Sequence, residues 1–411
     1  MLAAAVLALG IGAEHVAAQD GRAKRPEKKD GDTSTVIEVY GFAQGDFIFD
    51  FRSNNPDWFD VNRPTKIPAF VDEFGGNGRT WFSIRQSRFG TKATIPTSTK
   101  PIYITWEWDL FGVGIDAGQT TIRPRLMYGQ WGPWGAGQLW SPFMDNDVFP
   151  NILDYWGPNG MMFFRNVQVF WQPIKRDDGT RATIALERPG ASGDAGRVAD
   201  RVELQNIIAR FPLPDVSAEY RRGFKWGYLE LAGIYRYISW NDVLLDPFDL
   251  GGHDHGWGVS LSSNVKPGRN DVIRFQVVYG EGVENYFNDA PVDIGVKLNP
   301  GNLITPVVGE ALGDFGGVLY LDHNWSKTLS SAIGYSRVEI DNSNLQLPTA
   351  FKAGNYASTN LLWAPVPAIL IGGEFQWGWR QNFQDDFVAN DYRVQFAMKY
   401  NFSQKFGGKK Q

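Results

Sequence analysis

The last strand-like stretch of the chain, Asp391 to Phe402, sorts its residues onto two faces. Tyr392, Val394, Phe396, Met398, Tyr400 and Phe402 alternate with Arg393, Gln395, Ala397, Lys399 and Asn401, the period-2 pattern of a strand with one apolar and one polar face. A run of about ten residues, aromatic at both ends of its apolar face, suits a tilted strand crossing a membrane. The same alternation recurs at Ile102, Ile104, Trp106, Trp108 and Leu110 against Tyr103, Thr105, Glu107 and Asp109, and at Ile37, Val39, Ala43, Phe47 and Phe49 against Glu38, Tyr40, Gln44, Asp46 and Asp50.

Sixteen such segments follow one another: 37–50, 82–95, 102–111, 122–131, 136–141, 163–172, 181–188, 215–222, 226–237, 256–264, 271–280, 317–325, 328–338, 355–363, 368–380 and 391–402. Tight turns such as Gly132-Pro133, Arg176-Asp177-Asp178-Gly179, Lys266-Pro267-Gly268 and Ala364-Pro365-Val366-Pro367 alternate with long polar or Gly-rich stretches, as turns and loops do in an up-and-down barrel. The pattern predicts an all-β, antiparallel transmembrane β-barrel of about sixteen strands with both termini in the periplasm. A closure of that size leaves an aqueous channel, whereas about eight strands would be filled by side chains.

Composition narrows the alternatives. No uninterrupted apolar run reaches the ~18 residues a membrane-spanning helix needs, so a helical integral membrane protein is excluded. A mean hydropathy of −0.30 fits a soluble β protein and a barrel with a polar interior equally well. The absence of Cys removes disulfide frameworks and thiolate metal sites, and a net charge of −5 gives no reason to expect nucleic acid. Residues 1–18 read as a signal peptide, with an apolar Leu2 to Ile11 and small residues at Val16-Ala17-Ala18. Residues 19–35 read as a disordered periplasmic leader, 36–402 as the barrel and 403–411 as a polar tail.

The runs RQSRFGTKA (Arg85 to Ala93), WGAGQLWSPFMD (Trp134 to Asp145), YGEGVENYF (Tyr279 to Phe287), LSSAIGYS (Leu329 to Ser336) and YASTNLLWAPVPAILIGGEFQWGWR (Tyr356 to Arg380) resemble the DcaP-like outer-membrane porins of Gram-negative bacteria. The resemblance implies a homotrimeric sixteen-stranded channel in outer-membrane lipid, carrying small anionic solutes such as dicarboxylates without a cofactor. It also implies that the third long connection, Ser141 to Met162, folds into the barrel as the constriction loop. Gln19 to Thr35 has no counterpart to the coiled-coil-like leader of some members.

Strand parity, with the apolar face outward, predicts Arg88, Lys92, Glu107, Asp109, Arg123, Arg125, Gln138, Trp140, Arg393 and Lys399 in the lumen. An inward loop would set its Asp145, Asp147 and Asp154 opposite Arg88, Arg123 and Arg125, and arginine forks suit carboxylates. The plainer expectation for these charges is mutual pairing that stiffens the wall. Trp106, Trp108, Trp363 and Trp377 fall on the lipid face. Enzymatic motifs are weak: Gly334-Tyr335-Ser336-Arg337 lacks the second Gly of a nucleophile elbow, and a porin wall explains the pair Glu107 and Asp109 more simply than a glycosidase does. His253-Asp254-His255 has no third ligand nearby and reads as a solvated loop. The chain is therefore expected to be a passive porin and not an enzyme. An outer-membrane β-barrel enzyme and a secreted soluble carbohydrate-binding protein, suggested by 16 Trp and 15 Tyr, are the alternatives.

Overall fold

A computed structural model describes residues 34–243 and 246–407. The expected signal peptide, nearly all of the expected leader and residues 408–411 lie outside them. Sixteen strands build the wall: β1 (Val36–Asp50), β2 in two pieces (Arg79–Ser83 and Arg88–Ile95), β3 (Ile102–Phe111), β4 (Thr120–Trp131), β5 (Trp134–Trp140), β6 (Arg165–Lys175), β7 (Arg181–Glu187), β8 (Asp215–Phe224), β9 (Gly227–Asp242), β10 (Gly252–Val265), β11 (Asp271–Glu281), β12 (Gly313–Asn324), β13 (Leu329–Asp341), β14 (Phe351–Val366), β15 (Ile369–Asn382) and β16 (Val388–Gly407). Each pairs antiparallel with the next, and β16 closes on β1 from Val36↔Gly407 to Asp50↔Arg393. Closure leaves no open sheet edge, which is what lets a sheet cross hydrocarbon.

Side-chain alternation carries the wall's chemistry. Along β16, Phe396, Met398, Tyr400 and Phe402 are exposed outward while Arg393, Gln395, Ala397 and Lys399 are buried inside. Trp131, Trp134, Trp171, Trp226, Trp325 and Trp363 face out near the tight turns, a girdle of the kind that marks a membrane interface. The strand β16 runs five residues past Phe402 and pairs Ser403 to Gly407 with Tyr40 to Val36, so the expected tail at 403 is barrel wall as far as 407.

At the other end the strands are joined by loops L1 (51–78), L2 (112–119), L3 (141–164), L4 (188–214), L5 (243–251), L6 (282–312), L7 (342–350) and L8 (383–387). Two of them, L2 and L8, are short, so the alternation of short and long connections is less strict than the sequence suggests. A two-stranded ribbon in L6, Ile294–Leu298 with Val307–Ala311, joins Gly193–Asp194 of L4 above the rim.

Candidate functional site: the loop-filled lumen

L3 crosses the barrel and is bonded to most of its circumference. At its start Ser141 donates to Glu187 of β7 (2.6 Å). Further along, Asp145 accepts from Arg221 of β8, from Tyr228 of β9 (2.7 Å) and from Ser262 of β10 (2.6 Å). The carboxylate of Asp147 pairs with Arg221 (2.5 Å) and lies 3.7 Å from Arg181, while its backbone carbonyl accepts from Asn264 (2.6 Å) and from Arg274. Glu374 of β15 then accepts the N–H groups of Leu153 and Asp154 (2.7 and 3.1 Å), and Met162 N–H donates to Gln276 of β11 (2.9 Å). Gly160 lies flat on the wall: a Cβ there would come within 1.9 Å of the Arg337 carbonyl oxygen, so only glycine permits that approach.

L1 and L6 enter the lumen as well and meet L3. Asn62 N–H reaches Asp154 (3.4 Å), Arg63 pairs with Asp289 (2.8 Å), and the Trp156 indole donates to the Asn288 carbonyl (2.6 Å). The largest apolar cluster, which includes Leu126, Trp140, Phe143, Tyr286, Phe287 and Val338, is therefore packed inside the barrel between loops and wall.

The break in β2 explains the RQSRFG run. Residues 84–87 leave the ladder, and Arg85 reaches inward to Asp60 of L1 (2.6 Å) and to the Gly112 carbonyl of L2 (2.8 Å). Gln86 donates to the Leu153 carbonyl of L3 (3.1 Å). One short segment thus ties three loops to the wall.

Arg88, Arg123 and Arg125, expected opposite the aspartates of L3, are paired with carboxylates of the wall. Arg123 forks Asp109 (3.1 and 2.8 Å), Arg125 bonds Glu107 (2.9 Å) and Asp109 (3.0 Å), and Arg88 stands 3.7 Å from Glu107. The plainer expectation, mutual pairing, describes them. Opposite them L3 presents not an aspartate but Tyr155, whose hydroxyl bonds Asp109, Arg123 and Arg125. Asp145 and Asp147 face Arg221 and Arg181 across the barrel instead. Asp154 accepts N–H groups from Asn62 and Trp156; burial pushes its carboxyl up to about 6. The expected juxtaposition fails because the loop's path places residues nine apart on opposite walls, which spacing in sequence does not report.

Lys92, Arg393 and Lys399 lie on the inner face; Arg393 pairs with Asp50, and Lys92 and Lys399 sit over the rings of Tyr40 and Phe42. Gln138 does not face the lumen: it pairs in register with Met127 and Val167, both exposed outward. Trp140 is buried at the root of L3 against Phe163 (5.1 Å between rings) and does not line water. His253 and His255 belong to β10, not to a loop.

At the tight-turn end a cavity of about 430 Å³ opens between L3 and the wall, lined by Asp147, Phe149, Asp178, Arg221, Lys225, Tyr228, Lys266 and Arg274 among others. Four cationic side chains face two carboxylates there. Arg221 and Arg274 are engaged by Asp145, Glu230 and Asp322, whereas Lys225 and Lys266 are exposed and stand in no ion pair among the described residues. Parity reading on β8 would have flagged Arg221, which alternates inward with Asp215, Ser217 and Glu219.

Residues 16–402 match the family model described as DcaP outer membrane protein. The chain belongs to that family. It is an outer-membrane porin, a β-barrel channel protein. Among solved structures, the outer membrane channel DcaP of Acinetobacter baumannii is 20% identical, with 89% of this chain and 97% of that chain covered and a TM-score of 0.71. The anion-selective porin of Comamonas acidovorans is 9% identical over 90% and 100%, with a TM-score of 0.57. OmpF of Salmonella typhi in complex with daunomycin is 11% identical over 89% and 97%, with a TM-score of 0.51. At these identities the likeness is one of fold. No curated protein matches this chain.

Proposed function

We propose that this family member forms a homotrimer whose channels pass small hydrophilic anions, dicarboxylates foremost, by passive diffusion. The observation that carries the reading is the cationic surplus at the tight-turn mouth, where Lys225 and Lys266 stand unpaired beside Arg221 and Arg274. A second surplus supports it: among the described residues, four wall arginines, Arg88, Arg123, Arg125 and Arg165, cluster around the two carboxylates of Glu107 and Asp109. Positive potential focused in a narrow aqueous passage raises the local concentration of anions and speeds their entry. A non-enzymatic role is supported by the engagement of the groups a hydrolase would use. Glu107 and Asp109 are held by arginines, and Ser336 accepts the Gly160 N–H (2.8 Å).

The test is a reversal potential across a planar bilayer in a KCl gradient. The wild type is expected to be anion-selective at low salt, and less so at 1 M, because the Debye length falls from about 10 Å at 0.1 M to about 3 Å at 1 M. Replacing Lys225 and Lys266 with Gln should keep conductance while moving the reversal potential toward cation preference and reducing the effect of added succinate on the current. A wild type that is cation-selective at low salt, or a double variant identical to it, would overturn the reading.

A further inference from the structure

Near the loop end of the barrel, β9 and β10 bring four ring side chains together on the outer wall. The register sets Tyr237 opposite His255 and Tyr235 opposite Trp257. His253 and His255, two residues apart on one strand, project on the same exposed face, with ring centroids 5.7 Å apart and planes at 87°. The Tyr235 hydroxyl lies 2.8 Å from Nδ1 of His255, and the Tyr237 ring stacks on His253 at 5.2 Å. Each histidine is therefore oriented by a tyrosine.

Two imidazoles bonded to one tetrahedral metal ion at 2.0–2.1 Å place their ring centroids about 5 Å apart. A rotation moving the rings by less than about 1 Å would bring His253 and His255 to that spacing, and both are exposed enough to make it. We propose that His253 and His255 form a two-imidazole chelate for a borderline transition cation, Zn²⁺, Ni²⁺ or Cu²⁺, on the outer rim of the barrel.

Ligand chemistry limits the choice of ion. Imidazole nitrogen suits Zn²⁺, Ni²⁺ and Cu²⁺, with Cu²⁺ bound most tightly, while Mg²⁺ and Ca²⁺ take oxygen ligands. Asp254, between the two histidines, points to the other face and accepts the Ala311 N–H (2.7 Å), so it adds no oxygen ligand. No group of three or more His, Cys, Asp or Glu among the described residues is arranged to hold a metal, and the chelate has two protein ligands with its other positions open to water. Such a site captures and exchanges its ion instead of locking it in place. Tyr235 fills the supporting role: its hydroxyl on Nδ1 of His255 leaves Nε2 for the metal and fixes the ring's direction.

Tag-free, detergent-solubilised full-length protein is titrated with Cu²⁺ and Zn²⁺ by calorimetry, and the Cu²⁺ sample is read by electron paramagnetic resonance. The expected result is one ion per chain, hyperfine structure from imidazole nitrogens, and no heat with Mg²⁺. His253→Asn and His255→Asn should each weaken binding at least tenfold, and Tyr235→Phe by about tenfold. His323→Asn, on β12 and bonded to Asp271, should leave binding unchanged. All four variants change exposed or half-buried positions, and heat-modifiable migration checks that each barrel is folded. Binding that survives in the His253→Asn, His255→Asn double variant, binding that His323→Asn abolishes, or a wild type that takes up no Cu²⁺ at millimolar concentration would each overturn the proposal.

Discussion

Arg221→Gln is the most informative single change, because one guanidinium holds the first limb of L3 to the wall. Its Nε bonds Glu230 at 2.6 Å, one terminal nitrogen bonds Asp147 at 2.5 Å, and the other bonds Asp145. Asp145 and Glu230 have side chains only 1% exposed. Removing one partner of a buried ion pair costs about 3–5 kcal/mol, since the charge left behind is neither solvated nor paired. Arg181, which already serves Glu219 and Glu230 at 2.9 and 2.7 Å and lies 3.7 Å from Asp147, would be left to serve those three carboxylates, with Asp145 deprived of its guanidinium. The remaining anchors of this limb, Tyr228 and Ser262 on the Asp145 carboxylate and Asn264 and Arg274 on the Asp147 carbonyl, are made in the wild type as well, and Tyr228 and Ser262 bring Asp145 no positive charge. The closed strand ladder survives, so the damage appears as release of L3. Expected outcomes are a larger and noisier single-channel conductance and new chymotrypsin cleavage at Phe149 or Tyr155, with the heat-modifiable band retained. Adding Asp145→Asn should recover part of the loss by removing an unpaired charge, a coupling that a double-mutant cycle measures. A single variant with wild-type conductance and protease resistance would show that L3 is held elsewhere.

Other perturbations test other parts of the molecule. Leu361→Arg places a charge on the outward face of β14, where Leu361 is 54% exposed, and should destabilise the barrel by about 2–4 kcal/mol if near the midplane; the urea midpoint of the heat-modifiable band reads it, and an unchanged midpoint would place that face against protein. Burial raises the Asp154 carboxyl from its ordinary 3.8 to about 6, so between about pH 4 and 6 the folded chain binds more protons than the unfolded one and stability increases as pH falls through that window. The rise corresponds to roughly 3 kcal/mol at neutral pH, and Asp154→Asn should flatten the pH dependence of loop release; a steeper profile in the variant would contradict the sign.

The wall was legible from sequence because lipid imposes one rule on every strand. Tyr392 to Phe402 shows why: a residue facing hydrocarbon must be apolar, and its neighbour is free to be charged. The rule fails at β5, and the reason is physical. Placing Gln138 and Trp140 in the lumen turns the apolar Leu139 between them toward lipid, yet Leu139 packs against the cluster that Phe143 and Tyr286 help to build inside the barrel. Where loops fill the lumen, the interior is itself apolar, and polarity no longer tells the two faces apart. Gln138 then sits on the outer face and satisfies its amide on the Pro124 and Arg125 carbonyls (2.9 and 3.1 Å). Those carbonyls are turned aside where Arg125 is an extra residue in the β3–β4 register, a bulge that re-aims side chains.

The charges show a related limit. Parity placed Arg88, Arg123 and Arg125 inside with Glu107 and Asp109, and adjacent strands let those groups find one another. Parity is silent on where a loop carries Asp145 and Asp154, because that path depends on contacts between residues far apart in the chain. The consequence concerns selectivity. On the proposed reading, an arginine shared between carboxylates and a loop tyrosine chiefly holds the constriction in place, whereas a lysine left unpaired at a mouth acts on solutes. If that division of labour holds, Arg125→Gln should alter conductance through L3 before it alters ion preference, and Lys225→Gln should do the reverse. Conductance and reversal potential measured on both variants separate the two roles; equal shifts in both quantities for either variant would mean that one set of charges both holds the loop and selects the ion.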